Sequence, residues 1–486
     1  MAEKAVDYKK LKLKVGLEVH QQLDTEKKLF CNCSTSMKEK DPIKIVMRKM
    51  HPVASELGEI DIAAEFEFLR NRNFHYQIFK NETCLVELDD EPPHPMNPEA
   101  IQLALQVALL LNCKVPEEIH VMRKTVIDGS NTSGFQRTAI IGTNGYLKYK
   151  GKNIPIALVA LEEDAAAHVK EENGKVTYRL SRLGIPLVEV TTESLEGYSP
   201  KEIQEIAFEV GMICRSIGKV KREIGAIRQD LNVSIRGGNR VEVKGVQELG
   251  LLSKVIELEV KRQLSLPKVE KEVRGAQEDG TTKFMRPLPG AKRMYPETDI
   301  PPIPLSNDYI QELKKELPEP WTKKFSKFKS KYKLSDELSK TILNSPYLEL
   351  FERIVAKTHA DASIVANTFT SVMKDLEKRE KAEINRIREE HYFELFDLIA
   401  KKRIMKEAIP VILKYLSEKP GETVAGAVKE LDISPLTAEE LKKIIEEVLQ
   451  HKGLIFEKAY GIVMSKVRGR IDPQIVMKEV KNMMKP

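Results

Sequence analysis

In the stretch KVGLEVHQQL, Lys14 to Leu23, Glu18 and His20 stand two residues apart. Side chains at i and i+2 of an extended strand leave the same face. The carboxylate and the imidazole therefore sit side by side, while Leu17 and Val19 point the other way as core material. Two further segments share this design. The apolar run of IALVALEEDAAAH ends in Glu162, Glu163 and Asp164, and Glu189 interrupts the apolar strand IPLVEVTTE. A carboxylate in a buried strand is costly unless it is paired or bound to a cation. One such residue is ordinarily a salt bridge to a nearby arginine; three segments with acids on strands point to a shared divalent-cation site. Mg²⁺ takes oxygen ligands and keeps waters and substrate phosphates in its shell. Imidazole favours softer metals, so His20 either orients a ligand or suits Mn²⁺.

Phosphate chemistry would need basic partners. No glycine-rich Walker-type loop or kinase-type signature is present, so a nucleotide site has to be built from Arg123, Lys124, Arg182, Arg228 and Lys244, which lie among the strands. Each such residue is more often a structural ion pair than a phosphate ligand. Cys31, Cys33 and Cys84 supply three thiolates, one short of a usual structural zinc site. They are either free thiols or a Zn²⁺ site completed by a histidine such as His51. From Lys452 onward the chain holds eight Lys/Arg against three Asp/Glu, with Lys466, Arg468 and Arg470 beside a turn. Such a patch can contact a phosphate backbone.

These residues need elements to position them. NPEAIQLALQVALLL reads as a helix capped by Asn97 with Pro98 in its first turn, and Ile101, Ala104, Ala108 and Leu111 form its apolar face. Short β-branched runs follow, and RGGNR between two of them signals a hairpin, with Gly237 and Gly238 supplying permissive dihedrals. This mixture predicts an α+β fold rather than a regular βαβ repeat. Residues 286–307 contain six prolines and no helical or strand period. Beyond them the chain turns Leu-, Lys- and Glu-rich with helical spacing, Thr437 caps one helix, and LSEKPGETV suggests a further division near residue 419. The expected domains are 1–304, 305–418 and 419–486. The composition, with 41% hydrophobic and 31% charged residues and a net charge of +6, fits a globular chain, and the net charge alone is too small to prove a nucleic-acid partner. The opening residues are too charged for a secretory signal, the longest apolar stretch is too short for a bilayer, and five cysteines argue for reduced thiols. The expected location is the cytoplasm.

The motifs GLEVHQQL, LEEDA, GIPLVEV, RQDLNVSI, VEVKG and YPETDIPP occur in the order found in the B/E-type subunits of tRNA-dependent amidotransferases, and the chain resembles that family over nearly its whole length. CLVELDDEPPHP, SELGEID and GAQEDGTTKFMRPLPGAKRMYPETD resemble its archaeal E type, with the bacterial B type as near relative. The resemblance implies a cradle-like catalytic domain related to glutamine synthetase folds, a helical domain and a small YqeY-like tail that binds tRNA. It implies that ATP phosphorylates the γ-carboxylate of glutamate misacylated onto tRNA(Gln), and that ammonia then displaces phosphate. The ammonia would come from a glutaminase partner subunit, an asparaginase-like D subunit in the archaeal type, in a hetero-oligomer. By match to the family, Glu18, His20, Glu163 and Glu189 would hold Mg²⁺, with Glu162 adjacent, and Lys124 and Asp230 would lie on the ammonia route. The archaeal type usually carries an extra domain before VRGAQEDGTT, for which VKRQLSLPKVEKEVRGA leaves no room. Three other readings are a B-type subunit also acting on Asp-tRNA(Asn), a free-standing carboxylate–amine ligase, and a tRNA-binding adaptor without chemistry.

Overall fold

The computed structural model describes residues 6–52, 58–223, 225–290, 294–433, 436–450, 455–467 and 470–484. The chain divides into two compact units, Met1–Trp321 and Thr322–Pro486.

The first unit is built on one long sheet. Its principal strands are β1 (Lys14–Gln22), β2 (Val121–Thr125), β3 (Phe135–Tyr149), β4 (Lys152–Glu163), β5 (Pro186–Thr192), β6 (Ile227–Ser234), β7 (Val241–Val246), β8 (Glu272–Ala276), β9 (Thr282–Pro287) and β10 (Met294–Pro296). They lie in the order β9-β8-β7-β6-β1-β5-β4-β3-β2-β10. Every neighbouring pair is antiparallel except β7 and β8. A parallel pair needs a crossover, which helix α3 (Leu252–Ser265) supplies.

Strand β1 runs near the middle of the sheet, and its alternation has the expected sense. Val15, Leu17 and Val19 are fully buried. Helix α2 (Pro200–Ser216), opened by a capping box between Ser199 and Glu202, packs on β1, with Ile203, Ile206, Ala207 and Val210 in the core. Helix α1 (Pro98–Leu110) packs on β3 and β4, with Asn97 capping Glu99 and Ala100 as the sequence requires. Removing each such large apolar side chain from water is worth roughly 1.5–3 kcal/mol. The polar face of β1 is left to a cavity.

A four-stranded sheet, with Lys44–Arg48, Asn73–Ile78, Lys175–Arg179 and Ala167–Glu172 in that order, supports the cavity from below. Phe74, Tyr76 and Tyr178 belong to its core. Tyr76 Oη donates to the Gly129 carbonyl at 2.8 Å and Tyr178 Oη to the Asp128 carbonyl at 3.1 Å. Gly129 has φ +86°, and a Cβ there would fall 2.2 Å from the Phe74 ring, so only glycine lets this loop pass. The proline-rich segment is less irregular than its sequence suggests. Tyr295 pairs with Arg123 across β10 and β2, closing that edge of the sheet.

The second unit is helical. Tyr415 and Lys419 both bind Glu430, and Glu394 accepts from the amides of Val424 and Ala425. These hydrogen bonds span the position of the expected break near 419. Helices Ala438–Leu449, Phe456–Val467 and Pro473–Met483 form a separate core cluster, the first capped by Thr437 in a capping box with Glu440. Among the described residues, no helix is long and apolar enough to cross a membrane.

Candidate active site

The cavity on the polar face of the sheet measures about 600 Å³. Register alone explains how distant residues meet there. His20 lies opposite Glu189 on β5 and Arg228 on β6, and Glu18 lies opposite Asp230 on β6. Directly opposed residues share a face, so β1, β5 and β6 place these side chains on one wall. Ligand atoms of Glu18, His20 and Glu189 lie within 4.8 Å of one another, as do those of Glu18, Asp230 and Glu242.

The groups hold one another. His20 Nε2 is 3.5 Å from Glu189 Oε2, whose partner oxygen accepts from Thr191 Oγ1 at 2.8 Å. Asn232 Nδ2 donates to Glu18 at 2.9 Å. Lys244 Nζ lies 2.8 Å from Glu242 and 3.3 Å from Asp230. Burial, reinforced by Glu189, pushes the Glu18 carboxyl up to about 7. Burial would depress the His20 imidazole, but the hydrogen bond and charge of Glu189 outweigh it and raise its pKa. For Glu189, His20 and Lys124 outweigh burial and hold the carboxylate well below its usual range. Among the described residues, the buried His20 Nδ1 has no hydrogen-bond partner. An imidazole whose ligand atom lies within 4.8 Å of two carboxylates offers a donor set suited to a cation.

A basic wall stands beside this acid wall. Asp164, fully buried, accepts from Gln22 Nε2 at 2.6 Å and Arg228 Nη2 at 3.2 Å, and lies 3.7 Å from Arg182 Nε. Arg182 is fixed further by the carbonyls of Ala165 and Ala166. Both guanidiniums line the cavity, as do Lys244, Arg240 and Arg286. Lys124 reaches Glu162 at 2.7 Å, and Gln136 donates to the same carboxylate at 3.1 Å.

The structure corrects one expected ligand. Glu163 does not face this cavity. It pairs in register with Pro186, whereas Glu162 pairs with Leu187, two residues from Glu189. Period-two alternation therefore sends Glu162 to the cavity and Glu163 to the opposite face. There Glu163 accepts the Arg137 amide at 2.9 Å and lies 3.6 Å from its guanidinium, within a network that includes Glu297. Arg123 likewise belongs to Glu297, stacks 4.6 Å from the Phe135 ring and does not line the cavity. Sequence reading missed Asn232, Glu242, Arg240 and Arg286, and left Asp164 and Glu162 without a role. Parity along β4 puts Glu162 and Glu163 on opposite faces, but the register with β5 decides which of them meets the cavity; nothing local marks the other four.

The cysteines converge. Cys31, Cys33, Cys84 and Glu87 each bring a ligand atom within 4.8 Å of the others. Cys31 Sγ is 3.1 Å from Glu87 Oε1, which also accepts from the buried Lys28 at 2.8 Å. Cys84 is drawn toward thiolate by the thiols of Cys31 and Cys33, while Cys31 is pushed up by the same contacts. The fourth position is thus Glu87. His51 instead packs its ring 5.8 Å from Phe68. In the C-terminal patch, Lys466 pairs with Glu447 and Arg470 with Asp432; Lys452 and Arg468 lie outside the described residues.

Residues 13–311 match the GatB/GatE catalytic domain, and residues 349–484 match the GatB domain. The chain belongs to the GatB/GatE family. Similar relatives are the glutamyl-tRNA(Gln) amidotransferase subunits E of Methanocaldococcus jannaschii, 34% identical over 97% of this chain and 98% of the relative, and of Aeropyrum pernix, 34% identical over 97% of each. That of Saccharolobus solfataricus is 33% identical over 99% of each. These alignments run over 619 to 634 positions against 486 residues here. The relatives thus carry well over a hundred internal residues without a counterpart in this chain.

Proposed function

We propose that the chain is the synthetase subunit of a tRNA-dependent amidotransferase, converting Glu-tRNA(Gln) to Gln-tRNA(Gln). A carboxylate is a poor acceptor for ammonia. Transfer of the ATP γ-phosphoryl group to the glutamate γ-carboxylate forms an acyl phosphate, and ammonia attack expels inorganic phosphate. The observation that carries this reading is the meeting of two walls in one cavity: a carboxylate–imidazole set suited to a cation, and Arg182 and Arg228 braced on buried Asp164. Phosphoryl transfer is catalysed mainly by positioning and charge stabilisation, and the volume lies within the range of small-molecule sites.

Glu18, His20 and Glu189 would hold Mg²⁺, which when bound neutralises charge on the nucleotide phosphates. Arg182, Arg228 and Lys244 bind the phosphates, and Lys124 and Asp230 are the polar positions where ammonia enters. The ammonia comes from a glutaminase partner, the D subunit if the assembly is of the archaeal type. Cys31, Cys33, Cys84 and Glu87 would hold Zn²⁺, whose preference for thiolate and carboxylate donors in fourfold coordination fits this set; its role there is to staple the 28–33 segment to the 84–87 turn.

The test is formation of Gln-tRNA from Glu-tRNA(Gln), ATP and ammonium by the chain with its partner, with and without tRNA. Glutamate amidation that proceeds without tRNA would convert the reading to a free-standing ligase. Absence of any phosphoryl transfer would leave a tRNA adaptor.

A further inference from the structure

The two ends of the long sheet meet across the cavity. Strand β9 ends the sheet on one side, and eight steps along the sheet β2 leads into the loop that holds Asp128. Laid flat, those two strands would stand about 38 Å apart. Arg286 of β9 nevertheless lies 3.5 Å from Asp128. The sheet therefore curls until its ends close over the polar face, and both side chains line the cavity. We infer that Asp128 and Arg286 form a subsite for the aminoacyl ester of a charged tRNA, Asp128 taking its α-ammonium and Arg286 its carbonyl oxygen, an inference that rests on the tRNA-dependent reading above.

Neither side chain is saturated by its own surroundings. Asp128 Oδ1 accepts from the Ser130 amide at 3.0 Å and the Ser130 hydroxyl at 2.6 Å. Among the described residues, Oδ2 has Arg286 alone, at the outer limit of a hydrogen bond. Burial would raise the Asp128 carboxyl, but Arg286, Ser130 and Arg72 outweigh it and hold it below its ordinary range, so it carries its charge. The Arg286 side chain is only 11% exposed, and among the described residues its Nε has no hydrogen-bond partner. A buried N–H left unpaired is costly, and a carbonyl oxygen of a ligand would satisfy it. The loop itself is pinned: the Tyr76 and Tyr178 hydroxyls hold the carbonyls of Gly129 and Asp128, and the Ser130 carbonyl accepts the Ala166 amide at 2.8 Å.

The other acids that line the cavity are committed. Glu18 and Glu189 belong to the cation set, Glu162 accepts from Lys124 and Gln136, and Asp230 and Glu242 lie against Lys244. An ammonium brought in by a ligand therefore finds an open carboxylate oxygen at Asp128. The acid wall stands on β1, β5 and β6 in the middle of the sheet, whereas Asp128 and Arg286 stand where its ends meet. Glutamate esterified to tRNA has a matching polarity. Its γ-carboxylate, the group to be phosphorylated, is at one end, and its α-ammonium and ester carbonyl are together at the other. With the γ-carboxylate at the acid wall, the ammonium and the carbonyl fall toward Asp128 and Arg286.

The test compares two fluorescently labelled ligands binding to the full chain without ATP. One is Glu-tRNA(Gln); the other is 2-hydroxyglutaryl-tRNA(Gln), in which nitrous acid has replaced the α-ammonium by a hydroxyl. Both are measured at about pH 6, below the α-amino pKa of roughly 7.7. The wild type should bind Glu-tRNA(Gln) about ten- to a hundredfold more tightly, the worth of a hydrogen bond to a charged group. Asp128→Asn keeps an oxygen for Ser130 and loses the charge. It should weaken Glu-tRNA(Gln) by that factor and leave the hydroxy ligand unchanged, with a wild-type melting temperature showing that it folds. Arg286→Lys keeps the charge beside Asp128 but loses the Nε donor, and should weaken both ligands alike by about tenfold or less; unchanged binding of both would remove Arg286 from the subsite. A pair that merely latches the sheet ends would weaken both ligands equally in Asp128→Asn, and that result would overturn the inference. So would equal binding of the two ligands by the wild type, which needs no variant. Because ATP is absent, discrimination that is not followed by Gln-tRNA formation once ATP and ammonium are added would sink the proposed reaction and leave the subsite standing.

Discussion

Substituting Glu189→Gln and, separately, Glu163→Gln tests the division of the sheet into a chemical and a structural face. Glu189 lies in the acid wall, its ligand atom within 4.8 Å of those of Glu18 and His20. Removing one unit charge at that separation is worth about 3.5 kcal/mol at an effective dielectric of about 20. If that charge acts on the transferring phosphoryl group through the bound cation, the rate falls by roughly 10²–10³. Glu163 is the more deeply buried of the two and sits behind the sheet on Arg137. Glutamine there keeps an oxygen for the Arg137 amide and loses the charge. The expected cost is about 1–3 kcal/mol of stability, with rate and cation affinity within about threefold of wild type. The assays are phosphoryl transfer to Glu-tRNA(Gln) with ammonium supplied directly, Mn²⁺ binding by calorimetry, and thermal unfolding. If Glu163→Gln abolishes Mn²⁺ binding while Glu189→Gln retains it, the assignment of faces is wrong.

Further outcomes follow from the same geometry. Glu18 titrates near 7 in the folded chain against 4.5 ordinarily. Metal binding must displace that proton and any proton on His20, so Mn²⁺ affinity should rise at least about tenfold per pH unit below 7; a flat profile refutes the role of Glu18. Without metal the same shift works in the opposite direction: the folded state holds the extra proton, so Glu18's contribution to stability is present below about 4.5 and is lost as pH rises through about 7, a loss that Glu18→Gln should remove from the unfolding profile. Asp164→Asn should leave Arg182 and Arg228 repelling each other and raise the KM for ATP on the order of tenfold, with Mn²⁺ affinity unchanged; an unaltered KM argues against a phosphate role for the two arginines. Glu87→Gln or Cys84→Ser should lower bound zinc, measured by elemental analysis, and chelation should lower the melting temperature of wild type alone. Lys244→Met should add a second Mn²⁺ equivalent on calorimetric titration, and a stoichiometry that stays at one would refute the view that its ammonium fills that position.

Much of the site was legible because strand parity is a local property. The alternation in KVGLEVHQQL placed Leu17 and Val19 in the core and Glu18 and His20 opposite them before any partner strand was known, and Asn97 and Thr437 announced their helices through cap chemistry. What was not legible is pairing. Whether Glu162 or Glu163 shares a face with Glu189 depends on which of them is in phase with Leu187, and register between β4 and β5 is set by packing across more than twenty residues of sequence. The fourth donor group beside the cysteines has a signature in the sequence. Cys84 and Glu87 have the i, i+3 spacing of a Cys-x-x-Cys turn with a carboxylate in the second place. The parallel pairing of β7 and β8 through α3 had no local signature, although it sets where a long insertion can leave the sheet undisturbed: after the helix, in the link to β8.

The electrostatics explain why Glu18 is the pivot of the site. It belongs to two acid groups, one with His20 and Glu189, the other with Asp230 and Glu242. The second group already contains its cation, since Lys244 lies against Asp230 and Glu242 and its pKa is raised by Glu242, Asp230 and Glu18 against the effect of burial. The first group has no ammonium seated against it among the described residues, but an imidazole and the more distant charges of Lys124 and Arg228. Charge is therefore balanced on one side of Glu18 and deficient on the other, and its carboxyl rises to about 7 because burial and Glu189 both favour the proton. A divalent ion placed between Glu18, His20 and Glu189 replaces that proton and completes the balance. Placed beside Asp230 and Glu242 it would have to expel Lys244 first.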